Sequence, residues 1–530
     1  MTEPNHPSKI EPIPSPSSGD SPKTDVASSA GRGGIAVAIA KMYFLVIGLV
    51  QQVLLTRVLG TGGYGAISTA LSVSAVVYNP IVTTSIQGVS RTVARSEEHE
   101  RPHAIRKAFK IHAGIALPIA IAFGTLAGPI VESIHAPHLL WPVRALALVL
   151  FFYGVYAPLI GVLNGQRRFV WQAGFDICFA TLRTVLMLGG ALLLERVAQR
   201  GVLGASAGFA LASATIFCAA VLIAKTGSPG RSRLATAEYL AFIGPVFAGQ
   251  VLLNLLQQAD LTLLRYYAAS AAIREQLAPE SADVLVGAYR AAQLFCFLPY
   301  QLLLSITFVL FPLLAKAHSD GKVEDVKLFV MTGVRLALLI AGMMVSVISG
   351  LSGPLLRLVF PADVATHATH AMQLLALGFG AFAIFGILTT VLTSLKAERA
   401  SALITGGAFA MVAGLGYALL RTESYGSHQL LRTAMATSIG LVVATLAAAA
   451  RVRRLAGGVV LPLTLIRVLL ASAITIAVSR FFEPTGKIAT IGFAALLAAL
   501  NVTILAVSRE LTVRDVRHVR SVFLKRANGH

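Results

Sequence analysis

Charge is what this chain of 530 residues has least of. Asp, Glu, Lys and Arg make up only 13% of it against 56% hydrophobic residues, and the mean hydropathy of +0.75 leaves too little polar surface to cover a water-soluble body of this size. The three cysteines, Cys178, Cys218 and Cys296, sit inside apolar stretches at spacings that suit neither a disulfide framework nor a metal cluster, so they read as packing residues. No Gly-x-x-x-x-Gly-Lys-Ser/Thr phosphate loop occurs, and direct ATP hydrolysis is unsupported. Loops between apolar stretches reach only about twenty residues, which excludes a hidden extramembrane catalytic domain and argues against an enzyme. No cleavable signal peptide is visible.

What the chain has is apolar runs. From Gly34 to Val507 it carries some fourteen of them, and a run of about 20 residues coiled as an α-helix matches the ~30 Å hydrocarbon core of a bilayer. The reading is an all-α polytopic membrane protein with helices near 35–56, 65–90, 108–131, 141–164, 170–194, 202–224, 239–266, 284–314, 328–352, 370–394, 400–420, 430–450, 459–480 and 488–508. Residues 1–33, rich in Pro and Ser, read as a disordered cytoplasmic tail, and 509–530 as a basic cytoplasmic one.

The net charge of +20 follows topology. Every second loop is basic: Arg91 to Lys110, Arg167–Arg168, Lys225 to Arg233, Lys316 to Lys327, Lys396–Arg399, Arg451 to Arg454, then the tail from Arg509. The intervening loops hold one or two basic residues each, such as Arg57, Arg144 and Arg357. This is the positive-inside pattern, with both termini cytoplasmic and the basic loops on anionic headgroups, so no nucleic-acid partner is needed to explain the charge.

The first twelve helices read as two copies of six. Leu146-Ala147-Leu148 through Val162-Leu163 aligns without gaps to Leu375-Ala376-Leu377 through Val391-Leu392, placing Tyr153 and Tyr156 opposite Phe382 and Phe385. Gln52-Val53-Leu54-Leu55 resembles Gln250-Val251-Leu252-Leu253, and Gly65-Ala66 resembles Gly287-Ala288. The expected domains are an N-lobe (34–225), a C-lobe (226–455) and two added helices (456–508). Six helices per copy give both lobes the same orientation, with a cavity between them.

Polar residues inside the span mark candidate sites, because a charge at mid-bilayer costs ~2.5–3.5 kcal/mol on insertion scales. Arg183 lies in the middle of its block and must face protein or water, whereas Lys41, Arg335 and Arg467 near helix ends are read as snorkelling to headgroups. Asp176, seven residues before Arg183, is too far along the helix, at about 10 Å, to pair with it directly. Helix seven carries Gln250, Asn254, Gln257, Gln258 and Asp260. Helix eight carries Arg290, Gln293, Tyr300 and Gln301, and helix two Ser72, Asn79 and Thr83. These stripes predict a wet, mildly cationic cavity for sugars and an anionic group, or alternatively interhelical hydrogen bonds that only fix packing. Asp176 and Asp260 are the candidates for H+ or Na+ coupling; no other cofactor or metal is indicated. Pro80, Pro118, Pro158, Pro245, Pro299 and Pro312 favour kinks, as hinges or static bends. Glu275, Glu280 and Asp283, in the longest candidate loop from Ala268, read as solvated loop charges.

Several strings are shared with a known family. Arg57-Val58-Leu59-Gly60 with Tyr64-Gly65, Val286-Gly287-Ala288-Tyr289-Arg290-Ala291-Ala292 through Leu298-Pro299 to Phe311-Pro312-Leu313-Leu314, Asp260, Leu163-Asn164-Gly165-Gln166, and Arg509-Glu510-Leu511-Thr512 resemble the polysaccharide transporter (Wzx-like oligosaccharide flippase) family of the multidrug/oligosaccharidyl-lipid/polysaccharide (MOP) exporter superfamily. The resemblance implies a two-lobed fold that moves an undecaprenyl-pyrophosphate-linked glycan across the membrane by alternating access, with polymerase or export machinery as further partners. In that reading Arg183 and Arg290 would contact the anion and the Gln and Asn residues the sugars. Gln52 and Val53 stand where the related lipid II flippases carry an Arg-Asp pair, and Ala292 where their helix-eight Arg falls, which counts against a peptidoglycan precursor. A cation-coupled drug exporter of the same superfamily and a membrane glycosyltransferase or polymerase are the rivals.

Overall fold

The computed structural model describes residues 23–224, 228, 230, 234–482 and 484–511, and all regular secondary structure among them is helical. Among the described residues twelve helical stretches are long and apolar enough to cross a bilayer. The first, Ile39–Arg95, has 57 residues and suffices for two crossings, and a broken pair, α8 (Ala282–Cys296) and α9 (Leu298–Ser319), makes another.

The boundaries differ from the expected ones for identifiable reasons. Helices one and two are a single bent element, α1 (Lys23–Arg95), in which Gly60 alone leaves helical geometry, at φ 70°; a side chain would resist that conformation, and a glycine makes the corner without a loop. Helicity begins at Lys23, inside the stretch expected to be disordered, because every proline of that tail lies before it. Residues 1–22 and 512–530, including most of both expected tails, and Lys225, Arg231 and Arg233 lie outside the described residues. Helix three is α2 (Arg101–Thr125) followed by the short α3 (Ala127–Ser133). Helix eight breaks at Phe297, where Pro299 opens α9. Pro80, Pro118, Pro158 and Pro245 sit within helices, while the side chain of Pro312 is outside those described.

Packing follows the internal repeat. The two segments aligned in sequence are α4 (Leu140–Gly165) and α12 (Ala362–Ser394), the most buried spans of the molecule, apolar on every face as a central helix must be. α4 packs against α1, α2 and α6 (Gly201–Ala224), and α5 (Phe169–Ala198) lies against α6 and α1. In the same order α12 packs against α8–α9, α10 (Val323–Gly350) and α14 (Ser427–Ala456), and α13 (Glu398–Leu420) against α14 and α7 (Thr236–Arg274). Tyr153 stacks on Tyr156 in α4, and Phe382 on Phe385 in α12, at matching positions. The last two helices, α15 (Pro462–Ser479) and α16 (Lys487–Val507), pack on α10 outside the repeat. Glu510 secures them: it accepts hydrogen bonds from Arg335, Thr464 and Arg467, so those two arginines are paired rather than simply snorkelling.

The two groups of helices meet where α1 crosses α7 and α8. At the crossing Gly65 and Gly287, matched in the repeat, lie backbone to backbone: a Cβ on Gly65 would come 1.8 Å from the Asp283 carbonyl oxygen, and one on Gly287 2.1 Å from that of Thr61. Equivalent residues of two copies touch each other only at the axis relating them.

Candidate functional site

A cavity of about 180 Å³ lies beside this crossing, enclosed by both halves of α1 and by α5, α6, α7 and α8. Arg183 and Arg290 enter it from opposite lobes, together with Gln258 from α7 and Ser72, Tyr78 and Asn79 from α1. Arg183 donates from Nε to the Oε1 of Gln51 at 3.1 Å, and Thr184 donates to that same oxygen at 3.2 Å. The Arg183 guanidinium carbon sits 5.0 Å from the Phe44 ring centroid and 5.7 Å from that of Phe209, so two aromatic faces cradle the cation and leave its remaining N–H groups toward the cavity. Arg290 donates from Nη1 to Oε1 of Gln293 at 3.1 Å. Neither arginine forms an ion pair among the described residues.

Of the other expected binding residues, Gln258 accepts from Ser72 at 2.9 Å and Asn79 donates to Asn254 at 2.9 Å, both across the lobe interface. Gln258 and Asn79 line the cavity, whereas Asn254 is buried behind Asn79 and donates to the Gln250 carbonyl. Gln250, Gln257 and Gln293 do not line it: Gln257 bonds the Tyr300 hydroxyl, and Gln293 is buried between Arg290 and Asp260. Gln51, Gln52, Tyr78 and Phe209 line it and were not singled out as site residues from sequence. The paired amides inside the first apolar block are the available signal for the first two; Tyr78 sits one residue before Asn79 and carries no separate signal.

Neither candidate coupling carboxylate lines the cavity. Asp176 forms an ion pair with Lys41 at 2.8 Å, which corrects the snorkelling expectation for Lys41. Asp260, 2% exposed, accepts from Tyr289, Gln293 and Thr437 and from the Leu261 backbone N–H.

The cavity has a lobe-to-lobe contact on either side. On the side of the basic loops, His112 of α2 links Ser85 at 2.9 Å to Tyr239 of α7 at 2.6 Å, and the Arg91 guanidinium lies 3.7 Å over the Phe242 ring. On the opposite side Asp283 of α8 pairs within its own lobe with Arg265 of α7 at 2.9 Å, held by charge rather than by an aligned N–H···O bond, and crosses to the other lobe at His138 Nε2, 2.8 Å away. Arg265 donates to the His135 carbonyl, and Thr61 donates to Asp363 at 2.6 Å. Asp283 is therefore buried and paired, Glu280 faces His138 at 3.8 Å, and Glu275 accepts from the Tyr425 N–H. Glu275 and Glu280 are exposed, as expected of loop charges, and Asp283 alone departs from that expectation. It escapes sequence reading because its partners Arg265 and His138 lie far from it along the chain.

A family profile described as "Polysaccharide biosynthesis protein" matches residues 30–318. No curated protein sequence matches the chain. Among solved structures, the lipid II flippase MurJ in an inward closed conformation superposes with a TM-score of 0.72 at 14% identity, covering 91% of this chain and 99% of that one. A multidrug resistance MATE family transporter of the MOP superfamily, inward-facing, gives 0.59 at 15% identity over 79% and 98%. A MOP superfamily transporter from Pyrococcus furiosus, reported with a binding pocket of reversed polarity, gives 0.59 at 16% identity over 81% and 96%. The fold is that of these multi-pass membrane transporters.

Proposed function

We propose a substrate and a direction of transport from one premise: this chain belongs to the polysaccharide biosynthesis protein family, a flippase family of the MOP superfamily. Its substrate is an undecaprenyl-pyrophosphate-linked oligosaccharide repeat unit, carried from the cytoplasmic to the periplasmic leaflet of a bacterial inner membrane, with both chain termini in the cytoplasm. The observation that carries this reading is the pair Arg183 and Arg290 facing one cavity without an ion-pair partner among the described residues. A guanidinium presents a planar fork of donors that matches phosphate oxygens, and the surrounding amides and hydroxyls suit sugar hydroxyls. The polyprenyl tail stays in lipid.

The cavity is too small for the whole glycan. At about 180 Å³ it falls below the ~300–1,000 Å³ of pockets that bury a drug-sized ligand, so an oligosaccharide does not fit. Admission of the sugars requires one of the two lobe-to-lobe contacts to open, which is alternating access. Transport is driven by an H+ or Na+ gradient, with Asp176 and Asp260 as coupling candidates, or by consumption of the glycan by polymerase and export machinery on the far side.

A drug exporter for cationic compounds fits poorly, because the ionic groups lining the cavity are cations. A glycosyltransferase or polymerase fits poorly, because the Ala268–Asp283 segment is short and its Asp283 is buried in an ion pair. Arg183→Ala and Arg290→Ala, each produced at wild-type level, are expected to reduce surface glycan at least tenfold and to accumulate its lipid-linked repeat unit in the cytoplasmic leaflet. Normal export by both variants would refute the assignment.

A further inference from the structure

We infer that Asp260 is a positioning residue for Arg290 and acts through the side-chain amide of Gln293. The inference rests on the reading of Arg290 as an anion contact. Asp260 and Gln293 are 2% and 1% exposed, Arg290 reaches the cavity, and the three form a chain: Gln293 Nε2 donates to Asp260 Oδ2 at 2.8 Å, and Arg290 Nη1 donates to Gln293 Oε1 at 3.1 Å.

An amide is polar at both ends, with a donor on one side and an acceptor on the other, and which way it points is fixed by its neighbours. Arg290 can only donate. For Gln293 to accept from it, the amide NH2 must turn the other way, and there it needs an acceptor. Asp260 supplies one. Its carboxylate is itself held by the Tyr289 hydroxyl at 3.0 Å, the Thr437 hydroxyl at 3.4 Å and the Leu261 N–H at 2.8 Å, so it is fixed from α7, α8 and α14 at once. The orientation of a cavity cation is thereby set by a carboxylate the substrate never touches. On the other side of the cavity, Arg183 is oriented by Gln51 and two aromatic rings and does not depend on this chain.

Asp260→Leu tests the relay, because leucine keeps the volume of the side chain and removes the acceptor. The Gln293 NH2 then has no partner at residue 260, and its Oε1 is no longer held toward Arg290. Two readouts are made on the full-length protein in nanodiscs. The first is the rate at which phenylglyoxal modifies Arg290, read by peptide mass spectrometry with Arg183 as the internal control; it is expected to rise severalfold in Asp260→Leu and Gln293→Leu, with Arg183 unchanged. The second is binding of undecaprenyl pyrophosphate, expected to weaken about tenfold, the size of one lost charge-assisted hydrogen bond. Asp260→Leu should add nothing to Arg290→Ala. Asp260→Asn keeps an acceptor oxygen for the donors Tyr289, Gln293 and Thr437 and is expected to leave both readouts near wild type. An Arg290 modification rate that ignores Asp260→Leu, or an Asp260→Asn variant that behaves as Asp260→Leu does, overturns the relay. Modification rates that follow the relay while undecaprenyl pyrophosphate binding ignores every variant, Arg290→Ala included, uphold the relay and refute the proposed substrate.

Discussion

Removing Asp283 probes the lobe contact on the side away from the basic loops. Arg265 is 0% exposed, the Asp283 side chain is 6% exposed, and their charged atoms are 2.9 Å apart, so Asp283→Ala strands a guanidinium in a dry interface. Breaking a buried pair by removing one member costs about 3–5 kcal/mol, because the surviving charge keeps its desolvation penalty and loses its partner. His138 loses its 2.8 Å contact in the same step, worth about a further 1 kcal/mol. Replacing both members, Arg265→Met with Asp283→Leu, removes the charge together with its penalty and is expected to be neutral or stabilising. The assay is reversible unfolding in mixed micelles by circular dichroism, run on wild type, Asp283→Ala and the double variant. The expected result has Asp283→Ala down by at least about 3 kcal/mol and the double variant near wild type. A loss below about 1 kcal/mol in the single, or a double worse than the single, refutes the claim that Asp283 compensates a buried guanidinium at the lobe contact.

Four smaller tests address other parts of the structure. Gly65→Ala puts a methyl 1.8 Å from the Asp283 carbonyl oxygen, so a cysteine at Ser72 should label faster from the Asp283 side with an impermeant maleimide. Gly88→Ala, whose Cβ would lie 2.7 Å from the Tyr239 hydroxyl, should raise labelling from the basic side instead. The Glu510 carboxyl is pushed up by burial, but hydrogen bonds from Arg335, Thr464 and Arg467 outweigh this and hold it below the ordinary glutamate value. A depressed pKa stabilises the fold above the unfolded value of about 4.3 and that stability is lost as pH falls through the folded one, so thermal scans toward acid should fall more steeply for wild type than for Glu510→Gln. Lys41→Ala should cost less than about 1 kcal/mol in the same unfolding assay, since its 2.8 Å pair with Asp176 has a lysine 54% exposed.

How far each feature was legible in the sequence depended on how local its physics was. Crossing a bilayer is a property of one segment, and the spans are readable wherever an apolar run is long enough. Their ends were less so, as at Gly60, where one residue with positive φ replaces an expected loop and only backbone geometry distinguishes a corner from a gap. The repeat was legible because α4 and α12, buried on every side in their own lobes, keep the same apolar order. Arg183 announced itself by the cost of a charge at its depth. Which amides face the cavity was not legible, since Gln257, Gln258 and Gln293 are alike in sequence and differ only in which neighbour the packing brings to them. Asp283 and Arg265 likewise belong to different elements, and their pairing with His138 depends on how the two lobes close.

The charge arrangement of the cavity bears on what the protein is for. Arg183 and Arg290 come from different lobes, and the groups that orient them are mostly neutral: an amide and two rings for one, an amide for the other. A structural role would be better served by a carboxylate against each guanidinium, as the molecule provides for Arg265, Arg335 and Arg467. Two cations left facing a small polar space raise the energy of the empty closed state, and an anion between them lowers it. Such an anion would be held by both lobes at once only when they are close. On the proposed reading a diphosphate bound there would favour closure, which is what a carrier needs before it can open on the other side, and selection of the sugars would fall to the neutral amides of the cavity, away from the two cations that grip the anion.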